Sequence, residues 1–391
     1  MTDSSSEIHI GLSMQDIDAQ QWDGLVAGRS PFLAHAFLLA LEESGSVQAD
    51  TGWQPSHVVV TDRAGELLAA MPLYIKQHSY GEYVFDWGWA DAYQRYGQRY
   101  YPKLLTAIPF TPSQSPRILV GDGESVQHWS LLIKQAVERY AEQIDASSWH
   151  VLFPDRDSAG ALQQTDLIRR EASQFHWRNK GYANFDDFLA TFSSRKRKNL
   201  RKERADVQAQ GIRFECLEGG AIGEEVWEIF YRYYQNTYQI RGQHGYLTRD
   251  FFRRIDATMP QNLFLIMALH GGRYVAGALF FKGADTLFGR YWGAEQDYDK
   301  LHFETCYYQG IEYCISHNIG LFDAGAQGEH KLRRGFVPVT TQSFHWIKDP
   351  AFRAAIDDFC QQEKAHVAAY QAAAREQLPY RQSEPVKGSQ E

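Results

Sequence analysis

The sequence predicts a mixed α/β (α+β) protein built from two similar units in tandem. Strand-like and helix-like patterns alternate along 391 residues, a length that suits more than one domain. The run GELLAAMPLYIK…FDWGWAD lines up with a later run, GRYVAGALFFK…GRYWGAE. Each continues into a helix (LLIKQAVERYAEQI, ETCYYQGIEYCISH) and a short apolar strand (WHVLF, IGLFDAG). A repeat this long means paired domains rather than a solenoid. Aromatic residues make up 14%, which favours sheets and large cores.

Taken in order, residues 16–27 form a helix, and residues 32–40 form a second one that stops at Gly45. Residues 57–61 and 67–75 alternate branched residues around the turn at 62–65 and read as a hairpin, with a third strand at 83–89. An insertion at about 90–127 interleaves Arg95, Tyr96, Arg99, Tyr101 and Lys103 with prolines. It reads as ordered loop rather than helix. Residues 1–170 form the first unit. The second, 171–375, opens with Asn184 as N-cap and Asp187 three residues on. A basic helix with Arg197, Lys198 and Arg201 follows, then a strand from Ile212. Residues 224–239 make an aromatic helix. The segment QIRGQHG at 239–245 precedes a meander instead of joining a strand to a helix, so it reads as a loop. The meander occupies 263–269, 274–281 and 286–292. A terminal helix spans 352–377, and residues 376–391 read as a disordered polar tail.

Hydrophobic residues at 44% and charged residues at 23% describe an ordinary soluble protein, and a net charge of -8 does not call for nucleic acid. The start lacks a basic region before an apolar run, and nothing approaches the ~18 apolar residues of a membrane helix. Integral membrane association is not expected. The four cysteines have no paired spacing, so the expectation is a reduced, cytoplasmic protein without a metal site.

The stretch with the most chemistry is LFDAGAQGEHKLRRGF, residues 321–336. Its glycines let backbone approach a ligand. Lys331, Arg333 and Arg334 make a local anion site, with Gln327 beside them. The same charges also suit a solvated loop. Arg95, Tyr96, Tyr101 and Lys103 offer a second anion or ring site, or else pack over a sheet edge. The basic helix suits a phosphate chain or RNA backbone, or pairs with the acidic remainder of the chain.

GAQGEHKLRRGFVP, HFETCYYQGIEYC, YGQRYYPKLLTAIPFTP and FSSRKRKNLRKER together resemble the FemAB-like family of N-acyltransferases, over about residues 15–375. The resemblance implies two tandem GNAT-like acyltransferase domains with a cleft between them. It implies transfer of an acyl or aminoacyl group from acyl-CoA or aminoacyl-tRNA to an amine, on a small molecule, a peptide or a peptidoglycan precursor in a bacterial cell. Neither GAEQDYDKLHFE nor DAYQRYGQRYYPKL contains the usual glycine-rich loop for CoA. Such a reaction needs a bound anion, here assigned to Arg95, Lys103, Lys331 and Arg334. It also needs a proton acceptor, for which Glu304, Asp323, Glu329 and His330 are candidates. The competing reading is a non-catalytic protein that binds RNA or an envelope precursor on the same scaffold.

Overall fold

The computed structural model describes residues 6–326 and 328–381. Its branched and aromatic runs form β1 (Glu7–Leu12), β2 (Trp53–Pro55), β3 (His57–Thr61), β4 (Leu67–Met71), β5 (Tyr74–Lys76), β6 (Lys103–Thr106), β7 (Leu119–Val120), β8 (Ser148–Leu152), β9 (Ile168–Arg178), β10 (Ile212–Glu218), β11 (Leu263–His270), β12 (Arg273–Lys282), β13 (Thr286–Ala294), β14 (Leu321–Asp323) and β15 (Val337–Ile347). A 4-stranded sheet has the order β1-β3-β4-β7. An 11-stranded sheet has the order β10-β11-β12-β13-β14-β9-β15-β8-β6-β5-β2. Neighbours are antiparallel except for β13 with β14 and β6 with β8. Each half of the large sheet thus contains one parallel pair, which is the internal repetition in structural form.

The halves meet at β9 and β15, paired from Val337 opposite His176 to His345 opposite Ile168. β9 also pairs with β14, while β15, from late in the chain, pairs with β8 of the first half. This exchange ties the units together through backbone hydrogen bonds, and apolar packing adds to it.

The helices are α1 (Ala19–Val26), α2 (His35–Glu43), α3 (Trp87–Arg95), α4 (Val126–Gln143), α5 (Arg156–Leu162), α6 (Phe185–Ala190), α7 (Ser194–Ala209), α8 (Glu224–Gln239), α9 (Arg249–Thr258), α10 (Leu301–Phe303), α11 (Gln309–Ser316) and α12 (Pro350–Glu376). A π-helical turn, Glu304–Tyr308, joins α10 to α11. Phe37 of α2 packs edge-on to Phe251 of α9 and Phe281 of β12, so one core crosses the two units.

The expected hairpin, meander, aromatic helix and basic helix form. Asn184 caps α6, accepting from the Asp187 amide at 2.9 Å. Asp187 takes the Ala183 amide rather than that of the cap residue. Asn184→Ala is expected to lower stability by about 1 kcal/mol, measured by denaturant unfolding.

Other expectations are corrected. Residues 83–89 do not form a strand: α3 begins at Trp87, because Trp89 and Tyr93, four residues apart, bury one helical stripe. The insertion is therefore not all loop, since it contains most of α3 and then β6. β6 stands beside β8 as β13 stands beside β14, so it is Lys103–Thr106 that answers to the third strand of the later meander. The 67–75 strand divides at Pro72, sending β4 to the small sheet and β5 to the large one. Within the expected tail, Tyr380 is packed, its ring against Phe192 and its hydroxyl donating to the Gly335 carbonyl. Residues 382–391 lie outside the described residues.

Candidate active site

β13 and β14 pair only over Thr286–Phe288 and Leu321–Asp323. Beyond that, β13 runs on to Ala294 while the chain after Asp323 turns away. The parting opens a void of about 90 Å³ lined by Arg290, Tyr291, Trp292, His302, Tyr307 and Ala324. The first four of these also border a larger cleft of about 390 Å³. Its opposite wall comes from the first unit, as Tyr80, Tyr83, Phe85 and Trp87. A third side is the end of α8 and the loop after it, with Tyr238, Arg241 and Tyr246. α8 can press onto β13 because residue 293 is glycine: a Cβ there would come within 2.0 Å of the Tyr233 backbone.

Among the described residues, the cleft is lined by Arg241, Arg290 and His302 but by no carboxylate. Arg290 is buried and reaches Asp323 at 2.9 Å. Ser113, from the first unit, donates to Asp323 at 2.8 Å and also contacts Arg290. Burial opposes ionisation of Asp323, but Arg290, His176 and the Gly325 amide outweigh it and hold the carboxyl well below the usual range. The Arg290 Nε–H has no acceptor among the described residues. At His302, burial first, then His330, Arg334 and Lys331, push the pKa down to about 4, so the imidazole is neutral near pH 7.

The family model described as peptidoglycan biosynthesis/recognition, FemAB-like, matches residues 13–382. The chain belongs to the FemAB-like family. Among solved structures it is similar to FemX, with 14% identity and a TM-score of 0.52 over 87% of this chain and 98% of that one. It is also similar to a C-terminal domain assigned to a lysylphosphatidylglycerol synthetase of Agrobacterium fabrum, with 10% identity and a TM-score of 0.52 over 88% and 95%. A tandem GNAT protein from the clavulanic acid biosynthesis pathway, solved without acetyl-CoA, aligns with 11% identity and a TM-score of 0.47 over 88% and 99%. No curated protein matches in sequence. The fold is a tandem pair of GNAT-like units whose mainly antiparallel half-sheets join edge to edge at β9 and β15 into one mixed sheet flanked by helices.

The FemAB-like chain does not bring the expected anion residues together. Lys103 is fully buried and donates to Ser79 and Glu82, each at 2.8 Å, with Asp86 closer still. Burial opposes its charge, but the two carboxylates outweigh that and raise its pKa. Arg95 is exposed and pairs with Asp91 one turn back; Tyr96 is exposed too. The Tyr101 hydroxyl lies 2.8 Å from Ser79 Oγ. Lys331 is buried, donating to the Gly325 carbonyl at 2.7 Å, and burial lowers its pKa to about 7. Arg334 binds Glu203 at 2.7 Å and the His330 carbonyl at 2.8 Å, with its guanidinium over the Phe303 ring. Gln327 lies outside the described residues. Lys331 and Arg334 are thus an internal brace, because each finds an acceptor in the chain itself, while Arg333 is exposed.

The expected proton acceptors are also engaged. Glu304 is buried against Arg204, whose Nη2 donates at 2.8 Å. Asp323 is held by Arg290. Glu329 accepts from the Tyr370 hydroxyl at 3.0 Å. His330 lies 2.8 Å from the Tyr307 hydroxyl and is lowered to about 4 by burial, Arg334 and Lys331. On the basic helix, Arg201 pairs with Asp186 at 2.8 Å in solvent, and Arg197 and Lys198 do not line the cleft.

Sequence reasoning missed Arg290, His302, Arg241 and the wall at 79–87. Arg290 stands in a strand, where a charge reads as outward-facing. Residues 240–245 form the expected loop, which supplies Arg241 to the cleft. Among the described residues no cluster of His, Cys, Asp and Glu could hold a metal, and no helix is long and apolar enough to cross a membrane.

Proposed function

We propose that this protein is an N-acyltransferase that moves an acyl or aminoacyl group from an activated donor to an amine, with a cell-envelope precursor as the acceptor class. The observation that supports it most is the cleft between the units. It is lined by Arg290, whose Nε–H has no acceptor among the described residues, and by a neutral imidazole, His302, beside a void formed where parallel strands part. The amine nitrogen attacks the donor carbonyl, the C–N bond forms, and the oxyanion receives the Arg290 Nε–H. The C–O or C–S bond to the leaving group breaks. His302 accepts the proton lost from nitrogen and returns it to the leaving atom.

The donor is better read as an aminoacyl-tRNA ester than as a CoA thioester. The backbone amides at the start of α10 that would cradle a pyrophosphate are largely occupied: Leu301 N donates to Tyr298, and Phe303 N and Glu304 N donate to Lys300. Lys300 is itself paired with Asp206 and Asp299. These residues do not fit the usual CoA cradle. Arg195 and Lys196 of α7 line a groove of about 500 Å³ with Arg333, and Glu203 and Glu376 border the same groove. A net basic rim of this kind suits a polynucleotide backbone, whose binding would fall steeply with added salt.

Native mass spectrometry of the protein offered CoA thioesters and charged tRNAs tests the donor. Retention of charged tRNA is expected, and retention of CoA thioesters alone would contradict that choice. His302→Ala is expected to slow single-turnover transfer by about 10²-fold, the low end for a positioned acid–base group, because a pKa near 4 makes a weak acceptor. An unchanged rate would remove His302 from the mechanism.

A further inference from the structure

Large apolar side chains stand exposed at few places on the surface of the described residues, and the rim of the main cleft gathers several of them. Tyr80 (49% exposed), Phe85 (55%) and Trp87 (41%) line one side of it. Across the opening, Ile240, just after α8, is 86% exposed and precedes Arg241, which lines the same cleft. The exposed Phe359 of α12 continues the patch: Arg170 lies over its ring and donates to the Phe85 carbonyl at 2.8 Å.

The fold enforces this exposure. The buried Lys103 binds Ser79, Glu82 and Asp86, which fastens the segment from beneath at three points. Tyr80, Phe85 and Trp87, beside those points, are held outward. Gly81, at φ +81, makes the turn that presents Tyr80, and a Cβ there would come within 2.6 Å of the Phe110 ring. The Tyr80 and Trp87 rings meet edge-on with centroids 5.0 Å apart, which steadies both. Apolar groups gathered in this way mark a contact surface.

The chemistry of the rim favours a lipid surface over a protein. Trp and Tyr each have an apolar body and a polar tip, which suits the level of phospholipid headgroups. Arg241 is exposed and has no acidic partner among the described residues, and none of the cleft-lining residues is a carboxylate, so a headgroup phosphate is attracted there. The apolar tips stand on opposite sides of a hollow of about 390 Å³. A folded partner would have to bridge that hollow with few contacts, whereas a fluid interface takes in each tip separately.

We propose that the rim of the cleft docks peripherally on a phospholipid bilayer, with Phe85, Trp87 and Ile240 entering the interface and Arg241 against the headgroup phosphates. The docking does not rest on the transferase reading.

The test is flotation of the full chain with phosphatidylcholine vesicles containing phosphatidylglycerol, at low and at high salt. The wild type is expected to float at both, because salt does not screen apolar insertion. Trp87→Ser combined with Ile240→Ser is expected to lower the partition coefficient by about 10-fold or more, since two apolar side chains no longer leave water. Both positions are exposed, so the fold is expected to persist, and the urea midpoint checks it. Lys198→Glu combined with Lys202→Glu, on the exposed face of α7, is the control and is expected to leave flotation at high salt unchanged. No flotation of the wild type overturns the proposal. So does flotation that survives the Trp87 and Ile240 substitutions, or that vanishes at high salt and with the α7 lysines. Self-association that those two rim substitutions abolish, without flotation, would make the rim a protein contact and overturn the bilayer. Flotation with no acyl transfer would sink the transferase reading alone. Transfer with no flotation would sink the docking alone.

Discussion

Replacing Arg290 by methionine is expected to lower stability by about 3–5 kcal/mol, because it leaves the Asp323 carboxylate buried without a counter-charge. The side chains of Arg290 and Asp323 are each only 2% exposed, so solvent does little to screen the loss. The substitution also loosens the joint between the units, since Ser113 of the first unit hydrogen-bonds within the same cluster. Adding Asp323→Leu should restore much of the stability by removing the orphaned charge, while transfer stays lost because no Arg290 Nε–H remains. Denaturant unfolding of the single and double variants, alongside a single-turnover assay, separates the two roles. The acid dependence carries a sign. Asp323 is held below its unfolded value of ~3.9, so its contribution is present above that pH and is lost as pH falls toward the folded value. With methionine at 290, burial is opposed only by His176, the Ser113 hydroxyl and the Gly325 amide, so the carboxyl's pKa is expected to rise from its wild-type position and less stability should be lost on acidification.

Lys103→Met is expected to have a comparable effect, about 3–5 kcal/mol, chiefly by stranding the buried Asp86 carboxylate, beside Glu82, which burial already pushes up to about 7. Lys76 does not substitute for it, being 3.9 Å from Glu82 and itself lowered to about 6 by burial. Ser79, Glu82 and Asp86 all belong to the segment that walls the cleft, so the variant should also weaken ligand binding there. Arg95→Ala, at an exposed site with one surface ion pair, should change stability by no more than about 0.5 kcal/mol. Equal effects from the two variants, measured by urea unfolding, would contradict the burial of Lys103 as the cause.

These contrasts show what the sequence made legible. Helices and strands with a long apolar period were readable, as in α8 and the β11–β13 meander, since burial enforces that period. The tandem plan was readable because the second copy repeats the pattern of the first. The segment at 83–89 was not, because alternating aromatic residues suit a strand and a helix alike until their partners are known. The cationic turn misled for a related reason. A run of Lys and Arg looks the same whether it waits for a ligand or binds its own chain, and only the fold brings Gly325 and Glu203 to Lys331 and Arg334. Conversely, Arg290 and His302 gave little local signal, since their role depends on where β13 and β14 part.

The central claim is that transfer takes place in the cleft between the units. Hydrogen–deuterium exchange of the protein with and without the donor that native mass spectrometry identifies tests it most directly. Slowed exchange at residues 79–87, 238–246 and 290–302 together is the predicted result. Protection limited to α7, with those three segments unchanged, would contradict it.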